Sequence, residues 1–227
     1  MTDSIRLNKY LALQLGISRR EADILIEKKK VNINDTLATL GARFTADDTI
    51  TVNGKELTST ATLRYVAFNK PVGYVCSRKA QGDSPTIYSL LPDDFYPLKP
   101  VGRLDRNSSG LIILTNDGDF AFKMTHPKFM KTKVYEVKLD KELEPLHQQM
   151  ISDFGVQLED GKSQLHLGRL SNENRREWQV TMSEGRNRQI RRTFAALGYE
   201  VTKLNRVQFG SYALNELKKG EYRSVTP

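Results

Sequence analysis

The apolar run Leu111-Ile112-Ile113-Leu114, closed by Thr115-Asn116-Asp117-Gly118, constrains the fold more than any other stretch of the chain. Its length and branched content describe a buried strand ending in a turn. The polar loop ahead of it, from Val101 to Gly110, is therefore held on a rigid support. Gly102 and Gly110 bracket that loop and permit backbone angles that other residues avoid, while Asn107, Ser108 and Ser109 can bond their own main chain. Asp105 lies between Arg103 and Arg106. Neighbouring positive charge favours an ionised carboxylate, the form that acts as nucleophile or general base. By residue type alone, an Asp in this setting more often caps a turn or pairs at the surface.

A chain of 227 residues has room for one large domain, or for a medium domain and a small one. Its 35 Lys and Arg exceed its 27 Asp and Glu, and the excess is unevenly placed. Residues 1–62 carry nine basic and eight acidic side chains, whereas residues 186–206 carry six basic ones (Arg186, Arg188, Arg191, Arg192, Lys203, Arg206) against Glu200 alone. Such a cluster points to a polyanionic partner. Cys76 is the only cysteine, so an intrachain disulfide and zinc or iron–sulfur ligation by paired cysteines are excluded. His126, His147 and His166 show no metal-ligand spacing. The amino terminus lacks the apolar core of a secretory signal, and no apolar run approaches the roughly twenty residues that span a bilayer. The expectation is a cytoplasmic chain.

Leu7, Tyr10, Leu11 and Leu15 recur at helical spacing over residues 5–15. Ser18-Arg19-Arg20-Glu21 fits a capping box that opens a second helix, with Ala22, Leu25 and Ile26 as its apolar stripe. Val31 to Asn34 and Thr49 to Val52 alternate as strands, the second ending in an Asn53-Gly54 hairpin turn. These features resemble the RNA-binding module named after ribosomal protein S4, through Arg6-Leu7, Lys9-Tyr10, Ser18-Arg19-Arg20, Ala22, Val31 to Asn34, Asp48, Ile50, Val52 and Gly54. Lys29 and Asp35 depart from it, each standing where glycine is usual. The resemblance implies that Arg6, Lys9, Arg19 and Arg20 contact RNA.

Small polar residues over 56–62 read as a linker. The expected organisation is an RNA-binding domain at 1–57, a linker at 58–62 and a second domain at 63–227. In the second domain, Leu63 to Phe68 reads as a strand entering Asn69-Lys70-Pro71-Val72-Gly73, followed by Cys76 as a small buried or half-buried residue. Asp117 to Met124 reads as a short helix, and Lys131 to Leu139 as a strand with Tyr135, Val137 and Leu139 on one face. Asp140 is placed to cap a helix reaching Met150. Strands follow near 155–159, 164–170 and 177–183. Glu184 to Arg192 opens a helix closed by Gly198, with Ile190, Phe194 and Leu197 on its buried side and Arg188 sharing another face with Arg191 or Arg192. Tyr199 to Val207 returns as a strand.

Gly102-Arg103-Leu104-Asp105 ahead of its strand resembles the signature loop of the RNA pseudouridine synthases. Asn69-Lys70-Pro71-Val72-Gly73, Lys133-Val134-Tyr135 and Gly185-Arg186-Asn187-Arg188-Gln189-Ile190-Arg191 resemble three further motifs of that family, in its order. The resemblance implies an α+β fold, with a mainly antiparallel mixed sheet flanked by helices beside a small α/β RNA-binding domain. It implies isomerisation of uridine to pseudouridine in ribosomal RNA, without metal or organic cofactor, after the base has left its stack. Asp105 would be the catalytic carboxylate and Tyr135 the residue that stacks on the base and can share in proton transfer. Arg191 would pair with Asp105, Leu204 would lie under the uracil, Arg103 would contact the RNA as the base flips, and Arg186 and Arg188 would add to the RNA-binding surface. The form of residues 186–192 is most similar to the members acting on large-subunit RNA, with the small-subunit members next. The expected partner is ribosomal RNA or an assembly intermediate, bound by a monomer. The residues also admit a non-catalytic ribosome-assembly factor, for which Asp105 is dispensable, and a metal-dependent nuclease using Asp105, Asp117 and Asp119.

Overall fold

The computed structural model describes residues 4–58 and 61–227. Met1 to Asp3, in the terminus read for a secretory signal, and residues 59 and 60 of the expected linker lie outside the described residues. The chain forms two compact units, Met1–Arg64 and Tyr65–Pro227.

In the first unit, α1 (Leu7–Gln14) packs on α2 (Arg19–Glu27). The capping box forms as read: Ser18 Oγ accepts from the Glu21 amide at 3.1 Å, and the Ser18 amide donates to the Glu21 carboxylate at 2.6 Å. The short strand β1 (Ile5–Arg6) takes the first residues of the expected helix and pairs with β4 (Arg43–Phe44). Strands β2 (Val31–Ile33), β3 (Thr36–Leu37), β5 (Ile50–Val52) and β6 (Lys55–Glu56) form an antiparallel sheet in the order β3-β2-β5-β6. The Asn53-Gly54 turn has φ of 51° and 76°, the pair of left-handed residues that a two-residue hairpin requires. Lys29, in place of a glycine, takes φ 55° after α2. Leu7, Leu11, Ala22, Ile26, Val31, Phe44 and Ile50 make the core. Leu15 does not join it, because α1 stops at Gln14 and the chain turns at Gly16, leaving Leu15 exposed.

The second unit is built on a mixed sheet. In chain order its strands are β7 (Tyr65–Lys70), β8 (Lys99–Pro100), β9 (Ser109–Thr115), β10 (Lys133–Leu139), β11 (Val156–Leu158), β12 (Gly161–Ser163), β13 (His166–Arg169), β14 (Glu177–Met182), β15 (Val201–Phe209), β16 (Tyr212–Ala213) and β17 (Tyr222–Ser224). The order across the sheet is β13-β14-β10-β15-β9-β7-β17, with β8 beside β9, β16 beside β15, and β11 paired with β12 as a separate hairpin. Of these pairings β15 with β9 is parallel and the others are antiparallel.

All seven residues of β9 are buried. Ile112 and Leu114 pack with Val66, Phe68 and Leu98 on one face, and Leu111 and Ile113 with Ala67, Met124 and Phe209 on the other. The third cluster joins Tyr135, Val137 and Leu139 to Trp178 and to Ile190 and Phe194. The apolar run is therefore the doubly covered strand that its composition dictates.

The helices of this unit are α3 (Gly118–Thr125), α4 (Pro145–Gln149) and α5 (Gln189–Ala195). Two depart from expectation. The helix expected from Asp140 begins at Pro145, because Leu143 first bonds Arg175 and proline supplies the preset φ of a helix start; Asp140 instead accepts the Glu200 amide at 2.9 Å. α5 begins at Gln189, not in the Glu184 segment, because Arg188 takes the left-handed φ of 46°. Among the described residues no helix is long and apolar enough to cross a membrane.

Candidate active site

Asp105 lies half-buried between β8 and β9, and its carbonyl accepts the Ser108 amide at 3.0 Å to close a turn. Lys70, the last residue of β7, is fully buried beneath this turn. Its Nζ donates to the carbonyls of Pro71 (3.0 Å), Asp105 (3.1 Å) and Ser108 (2.7 Å), so all three donors are used. Burial lowers the Lys70 pKa to about 8, against the opposing pull of Cys76 and Asp105. The Gly73 amide donates to the Arg106 carbonyl at 2.8 Å, and half-buried Cys76 bonds both main-chain groups of Leu104. The Asn-Lys-Pro-Val-Gly element thus clamps the Asp105 loop from below.

Gly110 fixes the other end of the loop. It has φ of 110°, and a Cβ there would lie 2.5 Å from the Arg206 amide nitrogen and collide with the Arg206 carbonyl. The missing side chain lets β9 pair in parallel with β15, Arg206 opposite Gly110, and Ser109 Oγ donates to Asn205 Oδ1 at 2.9 Å. That pairing sets Leu204 beside the loop.

Asp105, Arg103, Tyr135, Arg188, Leu204 and Arg206 line one cavity of about 710 Å³. Tyr135 and Leu204 are buried on the adjacent strands β10 and β15. Arg188 Nη1 stands 3.5 Å from Asp105 Oδ2. Arg191, expected to be the partner of Asp105, instead donates to the carbonyls of Val201 (2.5 Å) and Asn107 (2.8 Å). The left-handed turn at Arg188 delivers that side chain to the carboxylate, while Arg191, within α5, ties the helix to β15 and to the Asp105 loop. Burial and the charge of Arg188 lower the Arg191 pKa, and Asp105 and Glu200 oppose them.

Arg186 also has a structural task. Its Nη1 donates to Asp160 Oδ1 and to the carbonyls of Asp160 and Gly161, each at 3.0 Å, and its Nη2 to the Lys162 carbonyl at 2.8 Å. Asp160 further accepts two bonds from Arg192, at 3.0 and 2.6 Å, and these arginines lower its pKa. Asp160 and Lys70 escaped the sequence reading as working residues. An acid in a polar hairpin has no signal of its own, whereas the Lys-Pro element was visible without its hydrogen bonds. Arg206 is buried, donates Nε to the Leu111 carbonyl and lies 4.7 Å over the Phe209 ring. Burial, then Arg206, lower the pKa of Lys133, which also lines the cavity. In the first unit Arg6, Arg19 and Arg20 are exposed and Lys9 is half-exposed.

A carboxylate beside a cation, with an aromatic ring and a leucine on neighbouring strands, can take a planar heterocycle and act on it. Asp117 is differently employed: it caps α3 by accepting the amides of Asp119 and Phe120, and accepts the Tyr65 hydroxyl at 2.8 Å.

Residues 64–196 match the family model described as RNA pseudouridylate synthase. The chain belongs to this family. The ribosomal large subunit pseudouridine synthase B of Bacillus subtilis (strain 168) is 35% identical over 227 residues, covering 98% of this chain and 92% of that protein. The ribosomal small subunit pseudouridine synthase A of Yersinia pestis is 36% identical, covering 98% and 95%. A crystal structure of a pseudouridylate synthase superposes with a TM-score of 0.69 at 34% identity, covering 98% of this chain and 96% of that one. In this pseudouridylate synthase three of the four matching motifs line the cavity of Asp105, and the fourth, Asn69 to Gly73, supports the Asp105 loop through Lys70 and Gly73.

Proposed function

We propose that this synthase isomerises a uridine of ribosomal RNA to pseudouridine. The observation that carries the reading is Asp105 lining one cavity with Tyr135, Leu204 and Arg188, its carboxylate 3.5 Å from Arg188. In the isomerisation the N1–C1′ glycosidic bond breaks, a C5–C1′ bond forms, C5 gives up its proton and N1 gains one. Nothing is oxidised or reduced, so the reaction calls for no redox cofactor.

Asp105 is assigned the catalytic carboxylate, Tyr135 the stacking surface and a share in proton transfer, and Leu204 the apolar support beneath the uracil. Arg188 takes the pairing role that the motif gave to Arg191, and Arg191 positions the loop through Asn107. Arg103 is assigned to the RNA during flipping. Arg186 and Arg192 hold the segment that presents Arg188. The first unit is assigned as an S4-like module that binds RNA through Arg6, Lys9, Arg19 and Arg20, with the boundary near residues 58–62. The synthase acts as a cytoplasmic monomer on ribosomal RNA or an assembly intermediate.

The form of residues 186–192 favours large-subunit RNA. The similarity to the Yersinia small-subunit enzyme supports small-subunit RNA as the second reading. Pseudouridine mapping of both ribosomal RNAs, in cells lacking the protein and complemented with wild type or Asp105→Asn, decides between them. The expected result is one lost site, restored by wild type alone. Restoration by Asp105→Asn would remove the catalytic assignment.

A further inference from the structure

Beside the cavity the chain displays aromatic surface that its own core does not use. On α3, Phe120 and Met124 pack inward, whereas Phe122 is 48% exposed. The following turn, Pro127–Phe129, brings Phe129 to 5.9 Å from Phe122, nearly perpendicular to it, with the His126 ring 4.7 Å from Phe122. Lys128 Nζ lies over both phenyl rings, at 5.5 and 4.7 Å. His126 Nδ1 accepts the Lys128 amide and so fixes the turn. Residues 120–135 contain Lys123, Lys128, Lys131 and Lys133 and no Asp or Glu.

The patch continues the site. Thr125 and Pro127 line the cavity of Asp105, and Thr125 lies against Gly102, the neighbour of Arg103. Exposed rings among four lysines, with exposed Asp119 one turn before Phe122 as the nearest acid on the helix, match a ligand with flat apolar faces and negative charge. An unpaired stretch of nucleic acid has both, because every base offers a face for stacking and every link carries a phosphate. A rigid duplex hides the faces of its bases, and an acidic protein partner would use the lysines without needing two rings.

We propose that Phe122 and Phe129 form a stacking platform for an unpaired RNA base flanking the target uridine, with Lys123 and Lys131 at the adjoining phosphates and Lys128 swinging off the ring faces it covers to pair with a phosphate. The platform holds the strand beside the cavity while the uridine is turned into it. This rests on the synthase reading, and it adds a requirement for unpaired RNA next to the target.

The test compares Phe122→Leu/Phe129→Leu, Phe122→Tyr/Phe129→Tyr and the wild type in the full chain. Fluorescence anisotropy measures binding to a single-stranded RNA dodecamer and to a duplex of the same length. Pseudouridine formation is measured on unmodified transcripts of both ribosomal RNAs. Leucine keeps apolar bulk and removes the π face; tyrosine keeps the face. The leucine variant is expected to bind the single strand about 10-fold more weakly, to bind the duplex within about twofold of wild type, and to show its loss in KM more than in kcat. The tyrosine variant is expected to bind like wild type. Wild-type affinity in the leucine variant, or an equal loss for strand and duplex, overturns the platform. Absence of pseudouridine with the wild type, both on the transcripts and on ribosomal subunit particles from cells lacking the protein, overturns the synthase reading instead, so the two failures are distinguishable.

Discussion

Two arginines three residues apart serve Asp105 in different ways. Arg188 meets the carboxylate from a half-exposed position, and Arg191 is half-buried and bonded to two carbonyls. Exposed ion pairs contribute about 0–1 kcal/mol, whereas leaving the carbonyl of buried Val201 without its charged donor costs about 1–3 kcal/mol. Arg188→Met should therefore keep its thermal unfolding midpoint and lose turnover, while Arg191→Met should lose both. Unfolding scans beside single-turnover assays check this, and equal destabilisation of the two variants would contradict it. The motif named both arginines, but their assignment depends on one left-handed φ that residue type does not encode. Lys70 makes a second residue-scale prediction. Its pKa of about 8 in the folded chain lies below the ordinary 10.5 because burial penalises its charge. Between those values the unfolded chain binds more protons, so this group's contribution to stability rises with pH there, its burial penalty being fully present below pH 8. Wild type should gain stability relative to Lys70→Met as pH rises from 8 toward 10.5. Urea denaturation along that range measures the difference, and a flat difference refutes the linkage.

At the scale of elements, the site depends on how β9 meets β15 and on how the β11–β12 hairpin holds the start of α5. Gly110→Ala inserts a Cβ against the Arg206 main chain at a strained φ, which should destabilise the unit by about 2–4 kcal/mol, measured by denaturant titration. Asp160→Asn should behave oppositely. Asp160 is 41% exposed on its side chain, so little stability is at stake, yet it holds Arg186 and Arg192 on either side of Arg188. Turnover should fall by about 10-fold or more through misplacement of Arg188, with the midpoint nearly unchanged. Legibility followed element length. The seven buried residues of β9 and the alternation of β10 leave one solution each, and the Ser18 box formed as written. The two-residue strands β1, β3, β4 and β6 are too short for a period of two to register, and they are set by tertiary pairing.

At the scale of the whole molecule, the two units have separate cores, Leu7 to Ile50 in one and three clusters in the other. Their charges differ too: residues 1–62 are nearly balanced, and residues 186–206 are strongly basic. Balance over the whole first unit does not prevent it from binding phosphate, because a net-neutral unit can still present four local cations, Arg6, Lys9, Arg19 and Arg20. Each phosphate neutralised changes the slope of log affinity against log salt by about 0.7 for single strands and 0.9 for duplex. If all four side chains reach phosphates, the quadruple Gln variant should show a shallower slope by about 3, and its unfolding should match wild type because these residues lie outside the core. Salt titrations of binding to ribosomal RNA transcripts give the slope directly. A slope equal to that of wild type means that the first unit does not use these cations on the RNA backbone, and the electrostatic grip then falls to the basic segment around α5 and to the lysines beside Phe122 and Phe129.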